Sequence, residues 1–262
     1  IVKSLEAAGQ LDNTLILYFQ DNGGCAEGFG RGRVVGPLKR PAKPTLPPMG
    51  KDELQTQMVP PKSRDGYPLR RGDGVMPGPP ETEVGYGRNW ANVSNTPFRE
   101  YKHWVHEGGI ATPLIAHWPQ GVDDRGALRT QPAQLPDVMA TCIAGAGAAY
   151  PIEREGHAVQ PLEGYSMAPI FRGEPHGREV LYWEHEGNCA VRKGRWKMVC
   201  KYPGGWELYD IEKDRTELND VSGEHPERVQ ELSRLYEAWA KRCNVMPWAE
   251  LQKMRRKVRD GE

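Results

Sequence analysis

The first two thirds of the chain combine apolar runs of strand length with helix-like segments. Leu15–Phe19 is a continuous apolar run, which is the pattern of a strand covered on both faces in a parallel α/β sheet. Ile110–Trp118 is a second strand candidate, and Leu135–Ala144 is a short helix candidate. Ser166–Phe171 has the composition of a further helical turn. This order predicts part of a mostly parallel sheet flanked by helices over residues 1–173.

The pattern changes after Gly173. Four short strand-like runs follow one another, at Val180–Trp183, Ala190–Arg192, Trp196–Val199 and Trp206–Tyr209. Lys193–Arg195 has a glycine at its centre and the composition of a hairpin turn. Pro226 then opens a segment whose apolar residues recur at three- and four-residue spacing as far as Trp239. Residues 174–262 are therefore predicted to form a small antiparallel sheet covered by a C-terminal helix.

Three stretches lack such a pattern. Residues 28–95 are rich in glycine, proline and basic residues and are too long for an ordinary connection, so we expect a functional or partly disordered loop insertion. Residues 1–9 resemble the end of a helix stopped by Gly9, from which we expect a fragment or a trimmed product. The basic run Lys253–Arg259 is expected to be a solvated end of the chain.

Composition excludes several function classes. Lys and Arg together number 35, and Asp and Glu also number 35. The chain therefore lacks the positive net charge that would favour nucleic acid or an anionic membrane as its main partner. No apolar stretch approaches the roughly 20 residues of a membrane span. The 5 cysteines are scattered and contain no metal-ligand spacing, which argues against a zinc site. They favour free thiols over disulfides.

Asp21 and Asn22 follow the Leu15–Phe19 run and precede two glycines. Ligands of open α/β sheets lie at the carboxyl ends of strands, so these two side chains are placed for a binding site. A carboxylate and an amide oxygen are also the ligand types that calcium prefers. The same four residues are typical of a plain turn, however, and spacing alone favours the turn.

Two cationic side chains are further candidates. Lys102 lies shortly before Glu107–Gly109 and the second strand candidate, although an exposed surface position is the default for any lysine. His185 lies between Glu184 and Glu186 at a predicted hairpin end. The two acids favour a charged imidazole, while a packed surface histidine is the plainer interpretation.

Six short segments, spread over nearly the whole chain, occur in the order found in one enzyme family. They are Asn13–Gly24, Asn95–Lys102, Glu107–Pro113, Leu135–Thr141, Leu162–Ser166 and Trp183–Asn188. Together they resemble the sulfatase family, in the arylsulfatase branch of the alkaline-phosphatase-like superfamily. Each segment is short, and the specificity of the resemblance comes from their number and order.

The resemblance implies a sulfuric ester hydrolase that cleaves a sulfate monoester to an alcohol or phenol plus sulfate. By it, Asp21 and Asn22 are calcium ligands and Lys102 is the catalytic lysine that contacts the sulfate. Arg99 and His185 are further predicted substrate-binding residues, and the acids that flank His185 lead us to expect it to face the active-site cleft. A divalent ion and a lysine can stabilise the charges of the sulfate and its leaving group. The expected partner is a sulfated small molecule or sulfated carbohydrate.

The family further implies a formylglycine nucleophile, made from the first residue of a C/S-x-P-x-R motif, and a periplasmic or secreted location. No cysteine or serine of this sequence begins that motif. The early Asp-Asp pair of the calcium site and the upstream Lys and His residues are absent too. Truncation explains all of these absences, and we expect the chain by itself to be inactive.

Two other function classes stay open at this point. One is a related metal-dependent phosphatase or phosphonate hydrolase, against which the Glu-Gly-Gly sequence after Lys102 favours a sulfatase. The other is a non-catalytic protein that binds sulfated ligands. An aryl sulfate, a unit of a sulfated polysaccharide and a small sulfated metabolite are all open as substrates, because specificity resides in loops.

Overall fold

The computed structural model describes residues 1–260. The helices are α1 (Val2–Ala7), α2 (Gly87–Asn95), α3 (Glu107–Ile110), α4 (Leu135–Gly145), α5 (Ala168–Phe171), α6 (Pro226–Arg242) and α7 (Trp248–Asp260). The strands are β1 (Ile16–Phe19), β2 (Leu114–His117), β3 (Glu153–Arg154), β4 (His157–Ala158), β5 (Val180–His185), β6 (Asn188–Lys193), β7 (Trp196–Cys200) and β8 (Trp206–Asp210).

These elements belong to two compact units. One unit consists of Ile1–Asn22 and the chain from Ala111 onward, and it contains every strand together with most of the helices. The other is Gly23–Ile110, which contains α2 and α3. The predicted division of the chain at residue 173 is a different one, and it stays a prediction.

In the larger unit, β1 and β2 pair in antiparallel register, with Ile16 opposite His117. Leu15 and Leu17 pack on a buried cluster formed by Met167, Ile170 and Phe171. The strand therefore forms where the sequence predicts it. The prediction that it is buried on both faces is wrong, because Tyr18 on the opposite face is 63% exposed. The β1–β2 pair is antiparallel, so it does not confirm the mostly parallel sheet, which stays a prediction.

Strands β5 to β8 form an antiparallel sheet in sequence order, as predicted. Gly194, at φ 57°, makes the predicted turn between β6 and β7. Val191, Met198, Leu208 and Leu232 form its fully buried core, in which Leu232 comes from α6. Helix α6 begins at Pro226. The N–H groups of a first turn have no acceptor within the helix, so the N–H that proline lacks costs no helical hydrogen bond. The apolar face of α6 therefore covers the sheet, which confirms the small antiparallel sheet with its helix.

The smaller unit has little regular structure apart from α2 and α3 and three isolated bridges, such as Val35 with Arg71. A buried carboxylate organises part of it. Glu81 is 1% exposed. Its carboxylate oxygen Oε1 forms ion pairs with Arg40 Nε at 2.9 Å and with Arg70 Nη1 at 3.5 Å. The aperiodic pattern of residues 28–95 thus corresponds to an ordered loop region held by specific polar contacts. The sequence pattern did not predict helix α2, which closes this region.

Three further features were not predicted, namely the short helix α3, which takes in Ile110 of the second strand candidate, the β3–β4 hairpin and helix α7. The basic run Lys253–Arg259 lies within α7 and its side chains are exposed, in agreement with the expected solvated character. Within residues 1–260, no helix combines the length and the apolar character that crossing a bilayer requires.

Candidate active site

The chain leaves β1 through Gln20 into Asp21 and Asn22. The carbonyl of Gln20 accepts a hydrogen bond of 3.0 Å from the Thr112 hydroxyl, which ties this exit to the residues that enter β2. Asp21 is exposed and Asn22 is half-buried. The structure therefore places a carboxylate and an amide at the carboxyl end of an ordered strand.

The glycines of the two motifs are in direct contact. The amide of Gly23 donates a hydrogen bond of 2.9 Å to the carbonyl of Gly109. A Cβ atom on Gly23 would lie 1.7 Å from the carbonyl oxygen of Gly108, inside the space of that atom. Because no side chain fits there, the approach of the two backbones requires glycine. Gly23 and the Gly108–Gly109 backbone are therefore parts of one packed arrangement within the smaller unit.

Lys102 is held by its backbone at the same place. Its amide donates a hydrogen bond of 3.0 Å to the carbonyl of Gly24, and its side chain is exposed. Glu100 and His103, on either side of Lys102, have positive φ angles of 65° and 95°. Non-glycine residues adopt this conformation at a cost, and such residues cluster at functional sites. The loop is thus shaped to present the lysine side chain outward.

Asn95, the last residue of α2, is a structural residue of this loop that sequence reasoning did not single out. Its side-chain oxygen accepts a hydrogen bond of 2.7 Å from the amide of Gly24. Its side-chain nitrogen donates one of 2.9 Å to the carbonyl of Glu100. Arg99 is half-buried, and its carbonyl accepts a hydrogen bond of 3.0 Å from the amide of Gly108. Asn95 therefore joins the glycine turn to the Lys102 loop.

His185 is the last residue of β5 and is exposed. The turn after it is fixed by two side chains: Glu184 accepts a hydrogen bond of 2.9 Å from the amide of Gly187, and Asn188 donates one of 3.0 Å to the carbonyl of His185. The hairpin end that the sequence predicted is confirmed. Whether His185 faces a cleft, and how close Asp21 and Asn22 lie to Lys102, stay predictions.

The Leu135–Thr141 segment has a structural function in the larger unit. The fully buried Asp137 side chain accepts hydrogen bonds of 2.8 Å from the amides of Gln134 and Tyr165 and forms an ion pair with Arg178. The Thr141 hydroxyl accepts a hydrogen bond of 2.8 Å from the amide of Met167. This network holds the Leu162–Ser166 segment on α4.

A family model of the N-sulphoglucosamine sulphohydrolase C-terminal region matches residues 99–241, which is more than half of the chain. The chain belongs to the sulfatase family. The matched residues include the Lys102 loop, the Asp137 network and the His185 hairpin.

Individual sulfatases match as well. An uncharacterized sulfatase of Schizosaccharomyces pombe is 26% identical over 248 residues, covering 88% of this chain and 38% of that protein. N-acetylgalactosamine-6-sulfatase of Mus musculus is 28% identical over 132 residues, covering 50% of this chain and 24% of that enzyme. This chain therefore spans well under half the length of either relative.

A solved structure shares the fold. Ps i-CgsB, in complex with k-i-k-neocarrahexaose, superposes with a TM-score of 0.56 at 23% identity, covering 91% of this chain and 39% of that chain. Nearly all of this sulfatase chain thus follows the backbone of that protein.

Replacing Gly23 of this sulfatase with alanine is expected to destabilise the glycine contact by about 1–3 kcal/mol, the usual range for overpacking. The new methyl group meets the Gly108 backbone, which cannot rotate away as a side chain would. Urea unfolding and hydrogen exchange of residues 99–110 measure the effect. Gly28→Ala is the matched control, because a Cβ at Gly28 meets no atom within 4 Å. Equal stability of the two variants would contradict the predicted clash.

Proposed function

We propose that the full-length protein is a sulfuric ester hydrolase, and that this chain supplies part of its metal and sulfate site. The observation that carries the proposal is the anchoring of the Lys102 amide on Gly24, which follows Asn22 by two positions in the sequence. The Gly23–Gly109 hydrogen bond supports the same conclusion. Two segments that resemble sulfatase site motifs are therefore joined by backbone hydrogen bonds.

Asp21 and Asn22 are the proposed calcium ligands. Their side chains offer a carboxylate and an amide oxygen at a strand end, which is the donor chemistry of a hard divalent ion. Calcium takes about six to eight oxygen ligands, so other residues of the full-length protein must complete the site. When bound, the ion would supply positive charge that stabilises the anionic substrate.

Lys102 is the proposed sulfate-contacting residue. Its exposed ammonium group, on a loop braced by Asn95, complements the negative charge of a sulfate monoester and of its leaving oxygen. Arg99 and His185 are proposed to bind the rest of the substrate. The two-point bracing of the turn after His185 supports a positioning function for that side chain.

The nucleophile is proposed to be a formylglycine in a part of the protein outside this sequence, which contains no C/S-x-P-x-R motif. Formylglycine would supply a hydrated aldehyde oxygen that displaces the alcohol from sulfur. The residues of this chain would bind and orient the sulfate for that reaction.

A sulfated carbohydrate is the proposed substrate class. The name of the mouse relative denotes a sulfatase for a sulfated amino sugar, and the structure that shares the fold was solved with an oligosaccharide. We further propose that β1 belongs to a larger, mostly parallel sheet of the complete catalytic domain, with residues 174–262 as a subdomain. A periplasmic or secreted location is proposed from the same family membership.

The test compares this chain with the full-length protein on a chromogenic aryl sulfate and on a 6-sulfated amino sugar, with and without a calcium chelator. We expect calcium-dependent release of sulfate by the full-length protein and none by the chain alone. Turnover by the isolated chain would show that the nucleophile has been misplaced. Turnover of the corresponding phosphate monoester in preference to the sulfate would favour a phosphatase.

A further inference from the structure

Two of the five cysteines are directly opposite each other in the four-stranded sheet. Cys189 in β6 pairs with Cys200 in β7. Opposite residues of antiparallel strands have Cα atoms about 4.5–5.5 Å apart, within the range of about 4.4–6.8 Å that a disulfide spans. By the alternation of the strands, both side chains lie on the face of Val191 and Met198, which α6 covers. The register therefore places the two cysteines at a Cα separation that a disulfide can span.

The two thiols differ in access and in acidity. Cys189 is buried, whereas Cys200 is half-buried and reachable from solvent. The neighbouring Cys189 thiol lowers the pKa of Cys200 to about 7, although burial and the carboxylate of Glu207 raise it. The neighbouring Cys200 and burial raise the pKa of Cys189, as does Glu184 on β5, while Tyr236 on α6 lowers it. Cys200 is thus the thiol that ionises first.

We propose that Cys189 and Cys200 are a thiol–disulfide exchange site, at which a low-molecular-weight disulfide such as oxidised glutathione is reduced and a cross-strand disulfide forms. The Cys200 thiolate attacks one sulfur of the small disulfide and releases its first half as a thiolate. Cys189 then loses its proton to solvent and attacks the Cys200 sulfur, which releases the second half. Two protein thiols are oxidised, and one disulfide is reduced to two thiols.

The place of this pair gives the oxidation a structural consequence. Asn188, next to Cys189, accepts a hydrogen bond of 3.2 Å from the amide of Tyr202, which lies two residues after Cys200. Asn188 also braces the carbonyl of His185. A covalent link between β6 and β7 at this position therefore constrains the end of the sheet that carries the His185 turn.

The experiment treats the full-length protein with oxidised glutathione, blocks remaining thiols with iodoacetamide under denaturing conditions and maps tryptic peptides without reduction. Trypsin cleaves after Arg178, Arg192, Lys197 and Lys201, so the disulfide joins peptides 179–192 and 198–201. We expect this linked pair, with a mass about 2 Da below the sum of the two peptides. Its rate of formation should fall as the pH is lowered from 8 to 6, because both thiols must lose a proton before they attack.

Two variants separate the proposal from nonspecific oxidation. Cys200→Ser should abolish the linked peptides, whereas Cys142→Ser, at an exposed cysteine, should leave them unchanged. Recovery of both peptides in alkylated form after oxidation would overturn the proposal. Glutathione retained on Cys200 without a link to Cys189 would overturn it as well, because the second exchange step would then not occur.

Discussion

Replacing Lys102 with alanine in the full-length sulfatase is expected to lower kcat on a sulfate ester by about 100- to 1,000-fold, the usual effect of removing one charge-stabilising group. The expectation rests on the proposed function. The loop is anchored through the backbone of Lys102 and through the Asn95 side chain, so it should keep its shape when the lysine side chain is shortened. The loss should therefore appear as lost catalysis without a loss of stability.

The measurement is the steady-state rate on an aryl sulfate, together with the thermal unfolding temperature of each variant. Lys43→Ala is the matched control, since Lys43 is also an exposed lysine of the smaller unit. Asp21→Ala tests the proposed metal site in parallel and should raise the calcium concentration needed for half-maximal activity. A Lys102→Ala enzyme with the rate of the Lys43→Ala enzyme would show that the sulfate site has been misread.

Replacing Arg178 with methionine is expected to lower the free energy of unfolding by about 3–5 kcal/mol, because it removes the arginine partner of a buried carboxylate. Asp137 has no exposed side-chain surface and the Arg178 side chain is 9% exposed. Methionine keeps much of the packing volume and removes the charge. The backbone amides that Asp137 holds should then separate from it.

Urea unfolding measures the stability change, and hydrogen exchange of α4 and of residues 163–171 shows where it arises. Arg172→Met is the matched control, because Arg172 pairs with Glu174 at an exposed position, where about half of each side chain is accessible. Exposed ion pairs contribute roughly 0–1 kcal/mol, so the control should change stability little. If both variants lost the same stability, the Asp137 network would not hold the two segments together.

Sequence patterns predicted those elements whose signals are local. The apolar run before Gln20 forms β1, and the glycine between β6 and β7 makes a two-residue turn. The Leu135–Ala144 segment forms helix α4. Such signals depend on residues a few positions apart, so they can be recognised without knowing the fold.

Elements without a local signal were not predicted. Helix α2 has no acidic residue in its first turn and begins at a glycine, so no start signal marks it. At its end, the Asn95 side chain makes hydrogen bonds with Gly24, which is 71 residues away, and with Glu100 in the loop that follows. The partial exposure of β1 could not be predicted either, because an apolar run does not show how many neighbours a strand has.

The candidate site shows the same distinction between local signals and long-range contacts. The sequence by itself determined the family resemblance, the identities of Asp21, Asn22 and Lys102 as candidates, and the glycines that follow or precede them. Only the tertiary structure decided that Gly23 and Gly109 share a hydrogen bond, that Lys102 is anchored on Gly24, and that the Leu135–Thr141 motif is structural. The physical reason is that residue type and spacing encode local conformation and chemistry. A backbone contact across some 80 residues, by contrast, is set by the packing of the folded chain and leaves no periodic signal in the sequence.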